Sequence, residues 1–540
     1  MATAYLSPGV YVEEVDKGSK PIEGVGTAMA AFVGFAEKLP MKKIEGSEEL
    51  EPVKGPVLIA NWTQFQESFG GFLKGSYLAH AVYGYFLNGG GSCYVNAVPV
   101  AVPTEETKPM PAVALLTAGE TPKEILSVSA LEPGAAAGEI SVEVTKATGE
   151  GAPEDQFRFV VRVGTEEKEA FDNLSLKKGK GVRNVADAVN KESKLIKVML
   201  ATGRLSEEER VMRPGTYKLT VPKTTAMAAR DITPLIKEMR PDAIIGDATE
   251  RTGVNGFQVA DDVTMVCAPD LMALFEAGAI DRTQLKAAQL AVLAHCENMK
   301  DRFAILDCPP GMSPQEIKNW RVNEAGYDSK YGAVYYPCIK VANPLGNGGM
   351  VKIPPCGHIA GIYSRSDNER GVHKAPANEV VRGAVELETR ITKAEQDSLN
   401  PQNINCIRAF PGRGIRIWGA RTVSSDPSWR YINVRRLFNY IEKSIERGTQ
   451  WIVFEPNDMD LWARIRRDIT AFLTRVWRDG ALFGATAAEA FYVKCDAELN
   501  TAAVRDAGQV IIEIGLAPVK PAEFVIFRIS QWAGGGEVKE

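Results

Sequence analysis

Few groups of residues in this chain have the types and spacing that catalysis or metal binding requires. His295 and Cys296 are adjacent in a predicted helix, so their side chains point about 100° apart and form a poor nucleophile–base pair. Asp261 and Asp262 precede a predicted strand and could bind a cation, although a turn or a solvated acidic pair is the simpler interpretation. The four histidines are too dispersed to suggest a metal site. The sequence therefore predicts neither a catalytic site nor a metal site.

Glycine-rich stretches are the second kind of candidate, because such loops can hold phosphates. The run Asn88-Gly89-Gly90-Gly91 follows a predicted helix, whereas a phosphate-binding loop follows a strand and opens a helix. The stretch GVGTAM at 24–29 is too short a match to the dinucleotide fingerprint. The sequence has no G-x-S-x-G, H-E-x-x-H or P-loop motif. We therefore expect no bound cofactor.

A face of arginines on a predicted helix, residues 459–479, is the strongest candidate for a binding surface. The helix contains no lysine, and its apolar residues lie on a different side of the helical wheel. The planar guanidinium suits an interface with carboxylates, so an acidic partner is one interpretation, and a solvated face of an ordinary amphipathic helix is the other. The candidate residues are Arg464, Arg467, Arg475 and Arg478, with the neighbouring Arg435 and Arg436.

The elements that position these arginines form a predicted β-α-β-α module. A strand is predicted over 415–423 and a helix over 434–447, where apolar residues recur at helical spacing. A short buried strand is predicted over 451–454, before the helix that carries the arginines.

The rest of the chain predicts an α/β and α+β multidomain protein. Strands predicted near 28–35, 93–98, 302–308 and 333–341 alternate with helices, which indicates a mainly parallel core built from discontinuous segments. Between them, short alternating strands predict an inserted β-rich domain. The predicted regions are a terminal arm over 1–20, core over 21–103, the inserted outer domain over 104–222, core over 223–404, a C-terminal α/β domain over 405–515 and a second arm over 516–540.

Both ends of the chain carry short apolar β-type segments. A terminal strand has to pair with a sheet edge or remain frayed, and an exposed one is an aggregation hazard. The N-terminal segment could belong to its own domain's sheet or to that of a neighbour. The segments comprise Val10, Tyr11 and Val12 at one end and Phe524, Val525, Ile526, Phe527 and Ile529 at the other.

Composition excludes several classes of function. The chain has 540 residues, 45% of them hydrophobic and 24% charged, with a net charge of −5. It contains no long block of like charge and no apolar run of the ~18–20 residues that span a bilayer, so we expect neither direct nucleic-acid binding nor membrane insertion. The start has no Sec-type signal pattern. Eight scattered cysteines without a C-x-x-C pair predict buried free thiols and folding in a reducing cytoplasm.

Several separated motifs resemble contractile tail sheath proteins of myophages and phage-derived injection systems. The C-terminal block FPGRGIRIWGARTVSSDPSWRYINVRRLFNYIEKSIERGTQWIVFEPND and the start YLSPGVYVEEVDKGSKPIEGVGTAMAAFVGFAEK carry the resemblance, with AILDCPP and YGAVYYPCIKV between them. It covers roughly residues 1–100 and 240–530. It implies a helical homo-oligomer around an inner tube, with baseplate and terminal cap proteins as further partners, in a phage tail or tail-like particle assembled in the bacterial cytoplasm.

The resemblance also implies roles for the two predicted arms and the arginine face. The arms would cross into neighbouring copies, where they join a sheet, and the arginines would face the tube. A soluble α/β enzyme with an accessory β domain is the alternative, and it is supported by fold class alone.

Overall fold

The computed structural model describes residues 21–43, 50–100, 112–116, 124–131, 139–148, 153, 155–177, 182–200, 211–219, 231–346 and 349–529. The chain divides into two compact units. Unit 1 comprises residues 1–100 and 232–540, and unit 2 comprises residues 101–231. The boundaries expected from the sequence for the inserted domain, 104 and 222, lie within unit 2.

Unit 1 is built on an eight-stranded sheet in which six adjacent strands are parallel. Several central strands are buried along their whole length, because both faces of the sheet are covered. This confirms the predicted core assembled from distant segments. From one edge to the other, the strands are Gly414–Ile417, Ile404–Phe410, Gly332–Tyr336, Phe303–Asp307, Met265–Cys267, Ala30–Ala36, Cys93–Pro99 and Val57–Ile59.

Two helices pack on this sheet with their backbones in close contact. The helix Cys356–Arg370 lies against Leu78–Leu87, and a β-carbon at Gly357 would overlap the backbone of Ala81. Glycine at this position therefore sets how closely the two helices approach.

The C-terminal part of unit 1 has a hydrophobic core of its own, formed around two long amphipathic helices. These helices, Ile432–Gly448 and Met459–Arg478, share this core with Ile22 from the start of the described chain. Both helices were predicted. A two-stranded antiparallel sheet, Phe491–Lys494 with Glu513–Leu516, contributes to the same core.

Two predicted strands of the C-terminal module are wrong in extent or kind. Of the segment 415–423, only residues 415–417 lie in a strand, Gly414–Ile417. Beyond it, the backbone of Arg421 is hydrogen-bonded to the side chain of Asn405. The predicted strand 451–454 is a 3-10 turn, Gln450–Ile452, followed by Phe454 at φ 67° with its side chain fully exposed. This short connection joins two helices that share one core, so it has to turn.

Another predicted strand, 333–341, is divided in two. Gly332–Tyr336 stays in the large sheet, and Ile339–Ala342 pairs instead with Met350–Ile353 and Glu386–Leu387. Pro337 lies at the break and has no N–H to donate to a ladder.

Unit 2 is β-rich, as predicted. It has a four-stranded and a three-stranded antiparallel sheet and the helix Val185–Glu192, around one hydrophobic core. The four-stranded sheet runs Glu166–Ser175, Gln156–Val163, Ile140–Lys146 and Gly215–Lys218, and the three-stranded sheet runs Ile196–Leu200, Glu124–Ala130 and Ala112–Leu116.

The remaining elements of unit 1 are short apart from one long helix, Arg282–Met299. The others are the strand pair Met41–Lys43 and Leu50–Pro52, the α-helices Trp62–Phe69, Thr233–Ile236, Asp242–Ile245, Asp270–Glu276, Pro314–Asn319, Lys393–Leu399, Ala487–Ala490 and Ala502–Asp506, the π-helix Trp320–Ala325 and the 3-10 turns Asn255–Val259, Asn400–Gln402 and Pro427–Trp429. No helix in the described ranges is long and apolar enough to cross a membrane.

Candidate functional site

The two-stranded sheet of the C-terminal region presents open edges. Phe491–Lys494 pairs with Glu513–Leu516, and within the described chain neither strand has a second strand beside it. The backbone groups along the outer edges are therefore available to an added strand. Such an edge is a site at which another polypeptide segment can bind by main-chain hydrogen bonds.

The C-terminal segment 524–529 is a strand-like sequence that pairs with no strand in the part of the chain that the structure describes. It belongs to no helix or sheet in the structure. Its five apolar side chains are 69–94% exposed. A contiguous apolar stretch exposed to this extent is typical of a segment that is buried by a partner. The residues are Phe524, Val525, Ile526, Phe527 and Ile529.

Glu523, immediately before this segment, is held by three side chains of the body of unit 1. Arg421 donates from Nε and Nη2 to the two carboxylate oxygens at 2.9 and 2.7 Å. Asn400 Nδ2 and Tyr431 Oη donate at 2.7 and 3.0 Å. Partial burial acts to raise the pKa of Glu523, but the bonds and charge of Arg421, with the other two donors, outweigh it and hold that pKa below its ordinary value. The carboxylate is therefore ionised at neutral pH.

The predicted arginine face exists, but its members differ in what they contact. Arg464 and Arg467 have side chains 45% and 59% exposed, next to Glu455 at 3.6 Å and Asp468 at 3.1 Å respectively. Arg478 is also exposed. The Arg464–Glu455 pair is exposed at both residues, and such pairs contribute only ~0–1 kcal/mol. The Asp468 carboxylate beside Arg467 is itself buried. Arg475 instead donates to the backbone carbonyl of Ile22.

Arg435 and Arg436 do not belong to this surface, which corrects the expectation for both. They are 1% and 3% exposed. Arg435 donates to both carboxylate oxygens of Glu442 at 2.9 Å and lies over the ring of Trp429. Arg436 is bound to Asp367. Both side chains are buried and bind carboxylates of their own chain.

The N-terminal segment is fastened to the same pair of long helices. Ile22 is buried in their core, and the Val25 N–H donates to Ser444 Oγ at 3.1 Å. Arg436 Nη2 donates to the Thr27 carbonyl at 2.9 Å. The predicted arm residues Val10, Tyr11 and Val12 lie outside the described residues. The described chain therefore enters unit 1 at Ile22, beside the helix that carries the arginine face.

A cavity of about 360 Å³ lies at the amino-terminal ends of the parallel strands. Residues 25–29, residues 261–264 and the helix Ile432–Gly448 line it. Two of the cations that line the cavity bind other lining residues. Lys443 pairs with Asp301 at 3.3 Å, and Arg447 donates to a backbone carbonyl at 2.9 Å. Asp261 and Asp262 are in this lining, and the described part of the chain contains no cluster of three or more acidic, histidine or cysteine side chains that could hold a metal ion.

At the carboxyl ends of the parallel strands, where α/β enzymes bind ligands, two buried acids hold the backbone. Asp270 accepts from the Phe35 N–H at 2.6 Å and from Ser76 Oγ at 2.9 Å. Asp307 accepts from the Cys356 N–H at 2.9 Å. Burial raises the pKa of Asp270 to about 6 and that of Asp307 to about 7. These carboxylates have structural partners instead of access to a substrate.

Burial favours the neutral forms of both groups in the adjacent pair His295 and Cys296. Burial and the charge of Arg302 lower the pKa of His295 to about 4, and burial raises the pKa of the Cys296 thiol. All eight cysteines lie in the described ranges and are free and buried, as predicted.

Sequence reasoning missed the residues around Glu523. A signal was present, because Glu523 is an acid directly before an apolar run, in the stretch PAEFVIF. Its partners Arg421, Asn400 and Tyr431 are distant in sequence, so their proximity depends on the fold. Arg466, also outside the predicted set, donates to the Cys495 carbonyl at 3.0 Å.

Two family models match adjacent parts of this chain and together cover just over half of it. The phage tail sheath protein central domain matches residues 256–423, and the phage tail sheath C-terminal domain matches residues 424–531. The tail sheath protein of Vibrio phage KVP40 is 29% identical over 177 residues, 32% of this chain and 26% of that protein. The tail sheath protein of Salmonella phage ViI is 27% identical over 258 residues, 42% of this chain and 38% of that protein. The chain thus matches well under half the length of these two relatives.

Solved structures share the fold over nearly the whole chain. The helical sheath of the anti-feeding prophage in the contracted state is 24% identical, with a TM-score of 0.54 over 98% of this chain and 100% of that one. The sheath of the extracellular contractile injection system PVC, also contracted, is 22% identical, with a TM-score of 0.52 over 98% and 99% of the two chains.

Proposed function

Because this chain belongs to the phage tail sheath family, we propose that it is a structural subunit of a contractile sheath. The subunits polymerise helically around an inner tube, and the sheath drives the tube out by changing from an extended lattice to a shorter, wider one. Head-to-tail contacts that do not close generate such a filament. The observation that carries the proposal is the exposed apolar segment 524–529 in a chain whose C-terminal sheet has open edges.

Strand exchange links the subunits in this proposal. The segment 524–529 of one copy adds to the sheet formed by Phe491–Lys494 and Glu513–Leu516 in another copy, and the arm over residues 1–20 joins a neighbouring sheet in the same way. Addition would bury side chains that are now 69–94% exposed and satisfy edge backbone groups. At about 25 cal/mol per Å² of apolar area, burying several large side chains is a sizeable driving force for assembly.

The exposed arginines Arg464, Arg467 and Arg478 face the tube in this proposal. Arg475 instead binds the N-terminal segment of its own chain, at the Ile22 carbonyl. Weak exposed ion pairs suit a surface that has to hold the tube and then release it. Energy for contraction comes from inter-subunit contacts that differ between the two lattices, so no cofactor is required. Baseplate and cap proteins bind the ends of the polymer, which is part of a phage tail or tail-like particle.

Electron microscopy of the purified chain tests the proposal. We expect long tubules from the full chain, and discrete particles from a chain that ends at residue 523. A chain that ends at residue 529 is the matched control and should still form tubules, because it keeps the apolar segment. Deleting residues 1–20 should likewise leave unit 1 folded and abolish tubules. Discrete particles from the full chain at all concentrations would favour the enzyme alternative.

A further inference from the structure

The side chains around Glu523 control the direction in which the C-terminal segment leaves the body. We propose that Arg421, Asn400 and Tyr431 form a clamp on Glu523 that directs the segment 524–529 into another copy and prevents it from pairing with its own sheet. This inference rests on the proposed strand exchange and identifies positioning residues for it.

The clamp donates four hydrogen bonds to a single carboxylate. Both oxygens of Glu523 are engaged by the fork of Arg421, and each accepts one further bond, from Asn400 or from Tyr431. The side chains of Arg421 and Glu523 are 10% and 19% exposed. Arg421 is itself fixed, since its N–H donates to Asn405 Oδ1 at 2.7 Å and its Nη1 donates to the Asn400 carbonyl at 3.0 Å. Two-pronged, charge-assisted bonds to a buried arginine are stronger and more directional than a surface ion pair.

The chain between the sheet and the clamp is also attached to the body. After Glu513–Leu516, the Ala517 carbonyl accepts from the Phe483 N–H at 2.8 Å. The Val519 N–H donates to the Ala481 carbonyl at 3.2 Å, and the Val519 carbonyl accepts from Asn433 Nδ2 at 3.2 Å. Pro518 and Pro521 restrict the remaining backbone. The path from the sheet to Glu523 is therefore held at several points.

This attachment makes pairing within one chain unfavourable. If the chain reverses directly after Glu523, the segment 524–529 runs back beside residues 517–522. Both stretches are extended at about 3.3 Å per residue, so each residue passed requires one residue of the segment. Six residues, 524–529, are used up before the chain reaches the strand Glu513–Leu516. While the clamp is closed, a segment that folds back along this path does not reach Glu513–Leu516 of its own chain, and we expect it to bind an open sheet edge in another copy.

Glu523→Gln tests the clamp without changing the shape of the residue. The amide loses the charge that Arg421 binds but keeps an oxygen that can accept from the same donors, so the body of unit 1 should still fold. Glu324→Gln is the matched control, because Glu324 forms an exposed ion pair with Arg282 at 3.1 Å, and both side chains are more than 40% exposed. Tyr431→Phe removes one donor and should give an intermediate effect.

The measurements are the concentration at which tubules form, by sedimentation, and hydrogen exchange at the Val519 amide below that concentration. We expect Glu523→Gln to raise the critical concentration about tenfold or more, to speed exchange at Val519, and to lower the melting temperature by no more than a few °C. Glu324→Gln should match the wild type in all three.

The possible outcomes separate the clamp from the proposed function. If Glu523→Gln forms tubules at the same concentration as the wild type, the clamp is wrong and the sheath function is unaffected. If the wild type forms no tubules at any concentration, the proposed function fails. In that case, unchanged exchange at Val519 in Glu523→Gln would also overturn the clamp, and faster exchange would support it.

Discussion

Arg436 and Asp367 form a two-pronged ion pair inside unit 1, with N···O distances of 2.9 and 2.6 Å and side chains 3% and 1% exposed. The pair joins the helix Ile432–Gly448 to the helix Cys356–Arg370, which packs on the large sheet. The same guanidinium lies over the ring of Tyr363, at 4.8 Å, and donates to the Thr27 carbonyl. One side chain thus connects the C-terminal helices, the sheet layer and the N-terminal segment.

Removing this guanidinium should be strongly destabilising. Arg436→Met leaves the Asp367 carboxylate buried without its partner, and we expect a loss of about 3–5 kcal/mol in the free energy of unfolding. Chemical denaturation followed by circular dichroism measures it. Arg478→Met, on the exposed arginine face, should stay within about 0.5 kcal/mol of the wild type. Equal stabilities for the two variants would contradict the structural role of the buried pair.

Stability should depend on pH through Asp307. Burial raises its pKa from 3.8 to about 7, so the folded state keeps a proton that the unfolded state releases. The stabilisation from this group is complete below about pH 4 and is lost as the pH rises through 7. Asp307→Asn stays neutral, so its stability relative to the wild type should rise by about 2–3 kcal/mol between pH 5 and pH 8.

Denaturation of both proteins at several pH values measures this difference and removes the contributions of other titrating groups. Asp506→Asn, at an exposed position, is the control and should show a constant offset. An equally constant offset for Asp307→Asn would show that the Asp307 carboxyl is not protonated in the folded state.

Gly357 should not tolerate alanine, although alanine normally favours a helix by about 1 kcal/mol over glycine. The added β-carbon would overlap the backbone of Ala81 in the neighbouring helix, which has to move away. We expect Gly357→Ala to lower the melting temperature and to cost about 1–3 kcal/mol by overpacking. Gly91→Ala, where a β-carbon meets nothing within 4 Å, is the control. A stabilised Gly357→Ala would mean that the two helices are not in close contact.

Arg475 should differ from its neighbours on the arginine face. Arg475→Ala removes the donor to the Ile22 carbonyl, so the segment from Ile22 to Val25 should loosen and exchange at the Val25 amide should rise at least several-fold. Arg467→Ala, on the same exposed side of the helix, should leave this exchange unchanged. Hydrogen exchange read by NMR or mass spectrometry decides between them, and identical rates in both variants would show that Arg475 does not hold the segment.

Much of the fold was predictable because it follows from local patterns. The strand at 30–36 is a continuous apolar run, and the helices at 282–299, 432–448 and 459–478 carry apolar residues at helical spacing. Gly448 and Gly480 lie at the C-terminal ends of the last two helices. The segment 451–454 was mispredicted because a short apolar run has no period that separates a strand from a turn between two helices. Phe454, fully exposed at φ 67°, follows from the path of that turn.

The sequence by itself determined the parallel core, the β-rich insertion, the arginine-bearing helix and the apolar segment near the C-terminus. Each of these depends on residues that are neighbours in the chain. Only the tertiary structure decided which arginines are available: Arg435 and Arg436 are buried, where they bind Glu442 and Asp367, and Arg475 donates to the Ile22 carbonyl. The proximity of Arg421 to Glu523 likewise depends on the tertiary structure. Apart from Arg435 and Glu442, which are neighbours on one helix, these pairings join residues tens to hundreds of positions apart. A buried charge is stabilised only where the fold brings a partner to it.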